Sequence, residues 1–267
     1  MNNMEKLVRE RRSVRTFDGR ELTAQDKEKL CDYMETIDNP YKLPIEFKLL
    51  PKMGCPVVVG ADLYIGAKMK DAPHLNEAFG YAFEKLVLYA QSLGIGTVWI
   101  GGTMDRGAFE KAMELAEDEV MPCVSPLGYP AAKMSLRERM MRKGIKADNR
   151  FPFEKLAFWN DFDTPLTSDA AGKLFLPIET VRLAPSAVNK QPWRIVVMDG
   201  IAHFYLQRSK NFNGGKIDMQ KIDMGIALCH FELTAKEQGI NTRCVIEEPN
   251  IPCKDGMEYI ASYKFEI

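Results

Sequence analysis

Two short stretches of this 267-residue sequence carry the side chains best suited to chemistry. The first is "RRSVR", in which Arg11, Arg12, Ser13 and Arg15 gather guanidiniums around a hydroxyl. Guanidinium is permanently charged and forks onto paired oxygens, so this group suits phosphate; a solvated, charged helix end is the alternative. The second is "APSAVNKQPW", residues 184–193. Pro185 and Ser186 read as a turn whose hydroxyl bonds backbone or ligand. Asn189 donates and accepts at once, which suits a planar heterocycle with alternating C=O and N–H groups. Gln191-Pro192 breaks any helix, and Trp193 starts the strand "WRIVV". A loop with no further role is the alternative here.

Other chemistries find less support. The three histidines (His74, His203, His230) are scattered and read as surface or satisfied core groups, and no paired carboxylates suggest acid–base work. Six cysteines lack C-x-x-C or zinc-like spacing and read as free thiols in a reducing cytoplasm. With 36 basic against 37 acidic residues, no overall field draws the chain to nucleic acid or to an anionic membrane. The charged start does not resemble a signal peptide, and no apolar run approaches the roughly 20 residues of a membrane span. At 46% apolar content the chain builds a real core.

The elements that must position the two stretches contain a repeat. Residues 80–100, "GYAFEKLVLYAQSLGIGTVWI", align without a gap to residues 225–245, "GIALCHFELTAKEQGINTRCV", at an offset of 145. Gly80/Gly225, Leu88/Leu233, Ala90/Ala235, Gly94/Gly239 and Ile95/Ile240 coincide. Each copy reads as a buried helix stopped by a left-handed glycine, then a strand. "EKL" recurs at an offset of 149, which sets Arg11–Arg15 opposite residues 160–164, including Asp161 and Asp163. The halves fall at 1–145 and 146–267. The first reads as helices 4–9, 23–36, 77–93 and 105–117 with strands 56–60, 96–100 and 123–128. The second reads as helices 152–157, 168–183 and 219–238 with strands 193–198, 202–207, 241–247 and 257–265. This is an α+β mixture with helices around β-sheets. Each half keeps one special stretch and lacks the other, as expected for one composite site in an intramolecular pseudodimer.

"RRSVRTF", "APSAVNKQPWRIVV", "LGIGTVWIGG" (residues 93–102) and "PLGYP" (residues 126–130) together resemble the nitroreductase superfamily, FMN-dependent α+β enzymes that ordinarily form homodimers. The late position of the PSAVNKQPW segment, roughly 170 residues after RRSVR, resembles a single-chain branch in which one polypeptide plays both protomers. The resemblance implies that Arg11 and Ser13 bind phosphate, with Arg12 lining the same segment. Arg15 would lie near the flavin N1/O2 edge, and Gly101 and Gly102 would pass the N5/O4 edge. Pro185, Ser186, Ala187 and Asn189 would supply flavin contacts from the partner half. Lys146 and Arg150 are candidates to complete the phosphate site, although the basic run 133–150 also reads as a solvated linker helix. The implied reaction is ping-pong hydride transfer from NADH or NADPH through flavin N5 to a small nitroaromatic, quinone or enone, with no catalytic side chain. A monomer is expected, although a homodimer would not contradict one site per chain. A binding protein without turnover, and another flavin chemistry such as reductive dehalogenation, are the alternatives.

Overall fold

The computed structural model describes residues 3–210, 215–254 and 256–266. In chain order its elements are α1 (Asn3–Glu10), α2 (Ala24–Met34), β1 (Glu46–Pro51), β2 (Leu63–Lys70), α3 (Leu75–Ser92), α4 (Arg106–Ala112), β3 (Glu119–Val120), β4 (Val124–Leu127), α5 (Leu136–Gly144), β5 (Ala157–Trp159), α6 (Phe175–Leu183), β6 (Trp193–Met198), β7 (Ile201–Gln207), α7 (Met219–Glu237), β8 (Asn241–Val245) and β9 (Met257–Glu266). They divide into two compact units: residues 10–147, and residues 148–267 joined by the segment ending at Arg9. The mixture of helices and sheets is the expected α+β class.

In residues 10–147, β2 is the centre of a four-stranded antiparallel sheet, pairing with β1, β3 and β4. Six successive residues of β2 are buried, so both faces are covered and no polar alternation marks the strand. α3 packs here with almost its whole surface inside. Tyr33 of α2 stacks on Tyr89 of α3 at 4.0 Å.

The other unit holds a five-stranded sheet in the order β5-β6-β7-β9-β8, with β5 parallel to β6 and the remaining pairs antiparallel. Alternation along β7 sends Phe204 onto Phe231 of α7 and Tyr205 onto Phe162 on the opposite face. α6 lies on α7, where Thr180 Oγ1 meets Thr234 Oγ1 at 2.9 Å and His230 Nδ1 lies 3.0 Å from the Thr180 carbonyl. α1 belongs to this unit: the Met4 N–H donates to Glu237 at 3.0 Å, and Arg9 lies 3.7 Å from Glu179.

The repeat reappears bond for bond. α3 and α7 end in left-handed glycines, Gly94 at φ +75° and Gly239 at φ +73°. The Gly94 N–H donates to Gln91 O and the Ile95 N–H to Ala90 O, at 3.0 and 2.9 Å. The Gly239 N–H donates to Lys236 O and the Ile240 N–H to Ala235 O, at 3.1 and 2.9 Å. A Cβ at either glycine would meet nothing within 4 Å, so backbone conformation alone demands glycine there. Gly94→Ala and Gly239→Ala each lower the unfolding free energy by about 1 kcal/mol, measurable by urea denaturation.

Several expected elements differ. Residues 56–60 and 96–100 form only single bridges, Thr16 to Val59, Ser13 to Thr97, Gly96 to Gly128 and Ile100 to Val124, because each meets a neighbour at one residue at a time. The helix expected at 152–157 is a short 3-10 turn, 153–155, followed by β5. α6 begins only at Phe175, after Gly172 in the left-handed region and a 3-10 turn at 172–174. β1 and β2 had no sequence signal. No disulfide joins any of the six cysteines.

Candidate functional site

The arginine segment runs extended from residue 11 to residue 17, tied by single-residue bridges. The Val14 N–H donates to Thr97 O at 2.9 Å, and the Val59 N–H donates to Arg15 O at 2.9 Å. Val14 and Phe17 are buried and anchor it. A Cβ at Gly96 would stand 2.9 Å from Val14 Cβ, so the "LGIG" turn needs glycine for this segment to lie so close.

Arg11, Arg12 and Arg15 share this region with Arg142 of α5 and with two carboxylates, Glu84 of α3 and Glu138 of α5. Glu84 is fully buried and accepts from Trp99 Nε1 at 3.0 Å. Glu138, 1% exposed, accepts from Thr16 Oγ1 at 2.7 Å and from Arg12 Nη1 at 3.4 Å. The acids do not satisfy every donor. Arg11 Nε and Arg15 Nε and Nη1 are buried with no hydrogen-bond partner among the described residues. Burial lowers the pKa of both arginines; Arg142 adds to the shift, while Glu84 opposes it at Arg11 and Glu138 at Arg15. Arg11 and Arg15 therefore hold more buried N–H donors than Glu84 and Glu138 accept. Partly buried cations whose inner N–H groups lack acceptors are costly unless paired, and a dianionic oxyanion supplies both charge and acceptors. The donor set therefore fits a phosphate group.

Ser13 forms a single-residue bridge to Thr97 in the same segment. Lys146 is exposed in the turn that closes α5, its N–H donating to Lys143 O at 3.1 Å. Gly101 and Gly102 lie in a turn clamped by Arg106, whose Nη2 donates to Gly101 O at 2.9 Å and whose Nη1 donates to Met121 O at 2.8 Å. Gly102 is exposed, and a Cβ there meets nothing within 4 Å. Glu84, Glu138 and Arg106 escaped sequence reasoning. Only Glu138 had a signal, since "SLRE" is a capping-box pattern at the start of α5.

In residues 148–267 the second stretch folds into a tight loop between α6 and β6. Val188, Asn189 and Gln191 all adopt positive φ, +44°, +58° and +51°. For a β-branched valine this is strained, and such strain persists only where neighbours enforce it. The Ala187 N–H donates to Asp223 Oδ1 at 2.9 Å, and the Gln191 N–H donates to Ser186 Oγ at 2.9 Å. Gln191 Oε1 accepts from the Phe151 N–H at 2.9 Å. Arg150 donates to Asn189 Oδ1 and Leu183 O, each at 3.1 Å, and Asn189 Nδ2 donates to Asn149 O at 2.9 Å. Arg150 thus stands among the residues of this loop, and the side chains of Ser186 and Asn189 shape the loop itself. Val188 points outward, half exposed. Asp161 accepts two turn N–H groups, and Asp163 pairs with Lys254 at 2.6 Å, so these acids serve a local turn.

Asp223, buried on α7, was another unexpected participant. Burial pushes its carboxyl well above the usual range, opposed by the bond from Ala187. A carboxyl raised in the folded chain costs stability as pH climbs from the unfolded carboxylate range, near 3.9, through the raised folded value. Asp223→Asn keeps an acceptor and removes this cost. The stability difference in favour of the variant therefore grows between pH 4 and pH 8, as read by thermal unfolding.

Residues 3–235, which span both stretches, match the family model described as "Putative TM nitroreductase". The chain belongs to this nitroreductase family. Among solved structures, a "putative nitroreductase" of Thermotoga maritima is 22% identical with a TM-score of 0.63, covering 98% of this chain and 93% of its own. That likeness extends the nitroreductase fold over nearly the whole chain. A Bacteroides thetaiotaomicron protein, titled as an NADH dehydrogenase/NAD(P)H nitroreductase, is 20% identical with a TM-score of 0.44 over 51% of this chain and 90% of its own. An FMN-dependent nitroreductase of Clostridium difficile is 16% identical with a TM-score of 0.41 over 51% and 94%. A comparison with curated proteins gives no match. Among the described residues, no helix of this nitroreductase-family chain is long and apolar enough to cross a membrane.

Proposed function

We propose that the chain is an FMN-dependent oxidoreductase binding one flavin per polypeptide. The observation that carries this reading is the set of buried, unpartnered donors on Arg11 and Arg15 in a nitroreductase-family chain. Arg11, Arg12 and Ser13 hold the phosphate, with Lys146 as a further cation. Arg15 places positive charge toward the ring, favouring its electron-rich form. Gly101 and Gly102 offer backbone to the ring edge. Pro185, Ser186, Ala187 and Asn189, held in shape by Arg150 and Asp223, are further candidates for flavin contacts. Bound flavin would pass a hydride from NADH or NADPH to a small organic acceptor such as a nitroaromatic, quinone or enone. The chain supplies position and charge, and needs no acid–base side chain of its own and no second polypeptide.

Anaerobic addition of NADH or NADPH to the FMN-loaded protein tests this reading. Bleaching of the flavin absorbance by either nucleotide is the expected result. Reduction by dithionite but by neither nucleotide would reassign the protein as a flavin binder without turnover.

A further inference from the structure

Residues 101–104 form an irregular bend whose two ends are fixed by backbone bonds. At one end Ile100 and Val124 exchange N–H···O bonds of 2.9 and 3.0 Å, and at the other the Asp105 N–H donates to Gly54 O at 2.6 Å. Between them the Cys55 thiol donates weakly to Thr103 O at 3.8 Å. The firmer hold is Arg106. Its Nη2 donates to Gly101 O at 2.9 Å and to Pro122 O at 3.2 Å, and its Nη1 donates to Met121 O at 2.8 Å. Glu110, one turn further along α4, lies 3.3 Å from Nη1. One guanidinium thus ties the bend to the segment before β4, a task for a planar fork of several donors that a lysine ammonium does not match.

The direction of these bonds decides what the bend presents. The 101–102 peptide is trans, so its carbonyl and its N–H point opposite ways. With Gly101 O turned toward Arg106, the Gly102 N–H is turned away from it. Gly102 is exposed, and among the described residues no protein acceptor meets this N–H. The guanidinium also draws electron density toward Gly101 O, and a peptide polarised in this way donates more strongly through its N–H.

We propose that Arg106 is a positioning residue: by holding the Gly101 carbonyl it aims and strengthens the Gly102 N–H as a donor to flavin N5. The proposal rests on the flavin reading above, in which Gly101 and Gly102 offer backbone to the ring edge. Arg106 acts through Gly102, and all the residues concerned lie within residues 10–147.

The test compares FMN with 5-deaza-FMN, which carries C–H in place of N5 and so keeps ring and phosphate but lacks the acceptor. The unmutated chain is expected to bind FMN about tenfold more tightly than 5-deaza-FMN. In Arg106→Met the contrast narrows to about twofold or less, through loss of FMN affinity alone. Should that variant fail to fold, Arg106→Lys, which keeps the charge without the fork, is expected to show the same narrowing. In ¹⁵N-glycine-labelled protein the Gly102 signal, assigned by its loss in Gly102→Ala, moves downfield with FMN and not with 5-deaza-FMN. A Cβ at residue 102 meets nothing within 4 Å, so that variant folds. Equal affinities of the unmutated chain for the two ligands, an unchanged contrast in the Arg106 variants, or equal losses for both ligands overturn the role of Arg106 and leave the flavin reading standing. Failure of the unmutated chain to bind FMN at all overturns the flavin reading, and this proposal with it.

Discussion

Arg11→Ala weakens FMN binding roughly ten- to a hundredfold and leaves riboflavin binding unchanged. The contrast isolates the phosphate, because riboflavin carries the same ring without it. Arg11 Nε is buried and unpartnered, so a bound oxyanion gains its donor without first breaking a protein bond. Arg11→Lys retains charge but loses the planar fork, and its affinity falls between the two. Binding curves for the three proteins, read from flavin fluorescence, give the comparison. Equal losses for FMN and riboflavin would place Arg11 at the ring instead.

Glu138→Gln is expected to have the largest effect on the ligand-free chain. The carboxylate is almost fully buried and accepts from Thr16 and Arg12. It also completes the start of α5 through Thr16: the Ser135 N–H donates to Thr16 Oγ1 at 3.1 Å, and Thr16 donates to Glu138. The Glu138 N–H in turn donates to Ser135 Oγ at 3.1 Å. Glutamine keeps the shape and an acceptor but removes the charge. The charge that pairs with Arg12 and opposes the lowered pKa of Arg15 is then lost. Arg12 is one-third exposed, so the loss is smaller than for a fully buried pair, at about 2 kcal/mol. Inorganic phosphate should restore part of it, because the anion binds only the folded cluster. Urea unfolding with and without phosphate shows whether the recovery is larger in the variant than in the unmutated chain.

The repeat was legible because both copies face the same demand, a helix buried nearly all round that must stop at a left-handed residue. Gly94 and Gly239 meet it with matching bonds. β6 and β7 were legible as dense β-branched and aromatic runs. β1 and β2 were not: "LYIGAKMK" mixes a glycine and lysines into a strand buried on both faces, so neither alternation nor composition marks it. The arginine stretch announced its chemistry by residue type. Its counter-charges did not, because Glu84 is one of two acids in a helix buried nearly all round, and nothing in the sequence marks it as the one beside the arginines. In residues 184–193 the special residues were visible, but much of their work is internal: Ser186, Asn189 and Gln191 hold a strained backbone, which requires knowing φ at Val188. Asp223 could not be foreseen, since its partner is a backbone N–H distant in sequence.

The most direct test of the account is titration of the unmutated, flavin-free chain with FMN and, separately, with riboflavin. One FMN per polypeptide, bound far more tightly than riboflavin, is the predicted result. Two FMN per polypeptide, none, or equal affinity for FMN and riboflavin would contradict a single flavin site anchored on Arg11 and Arg15.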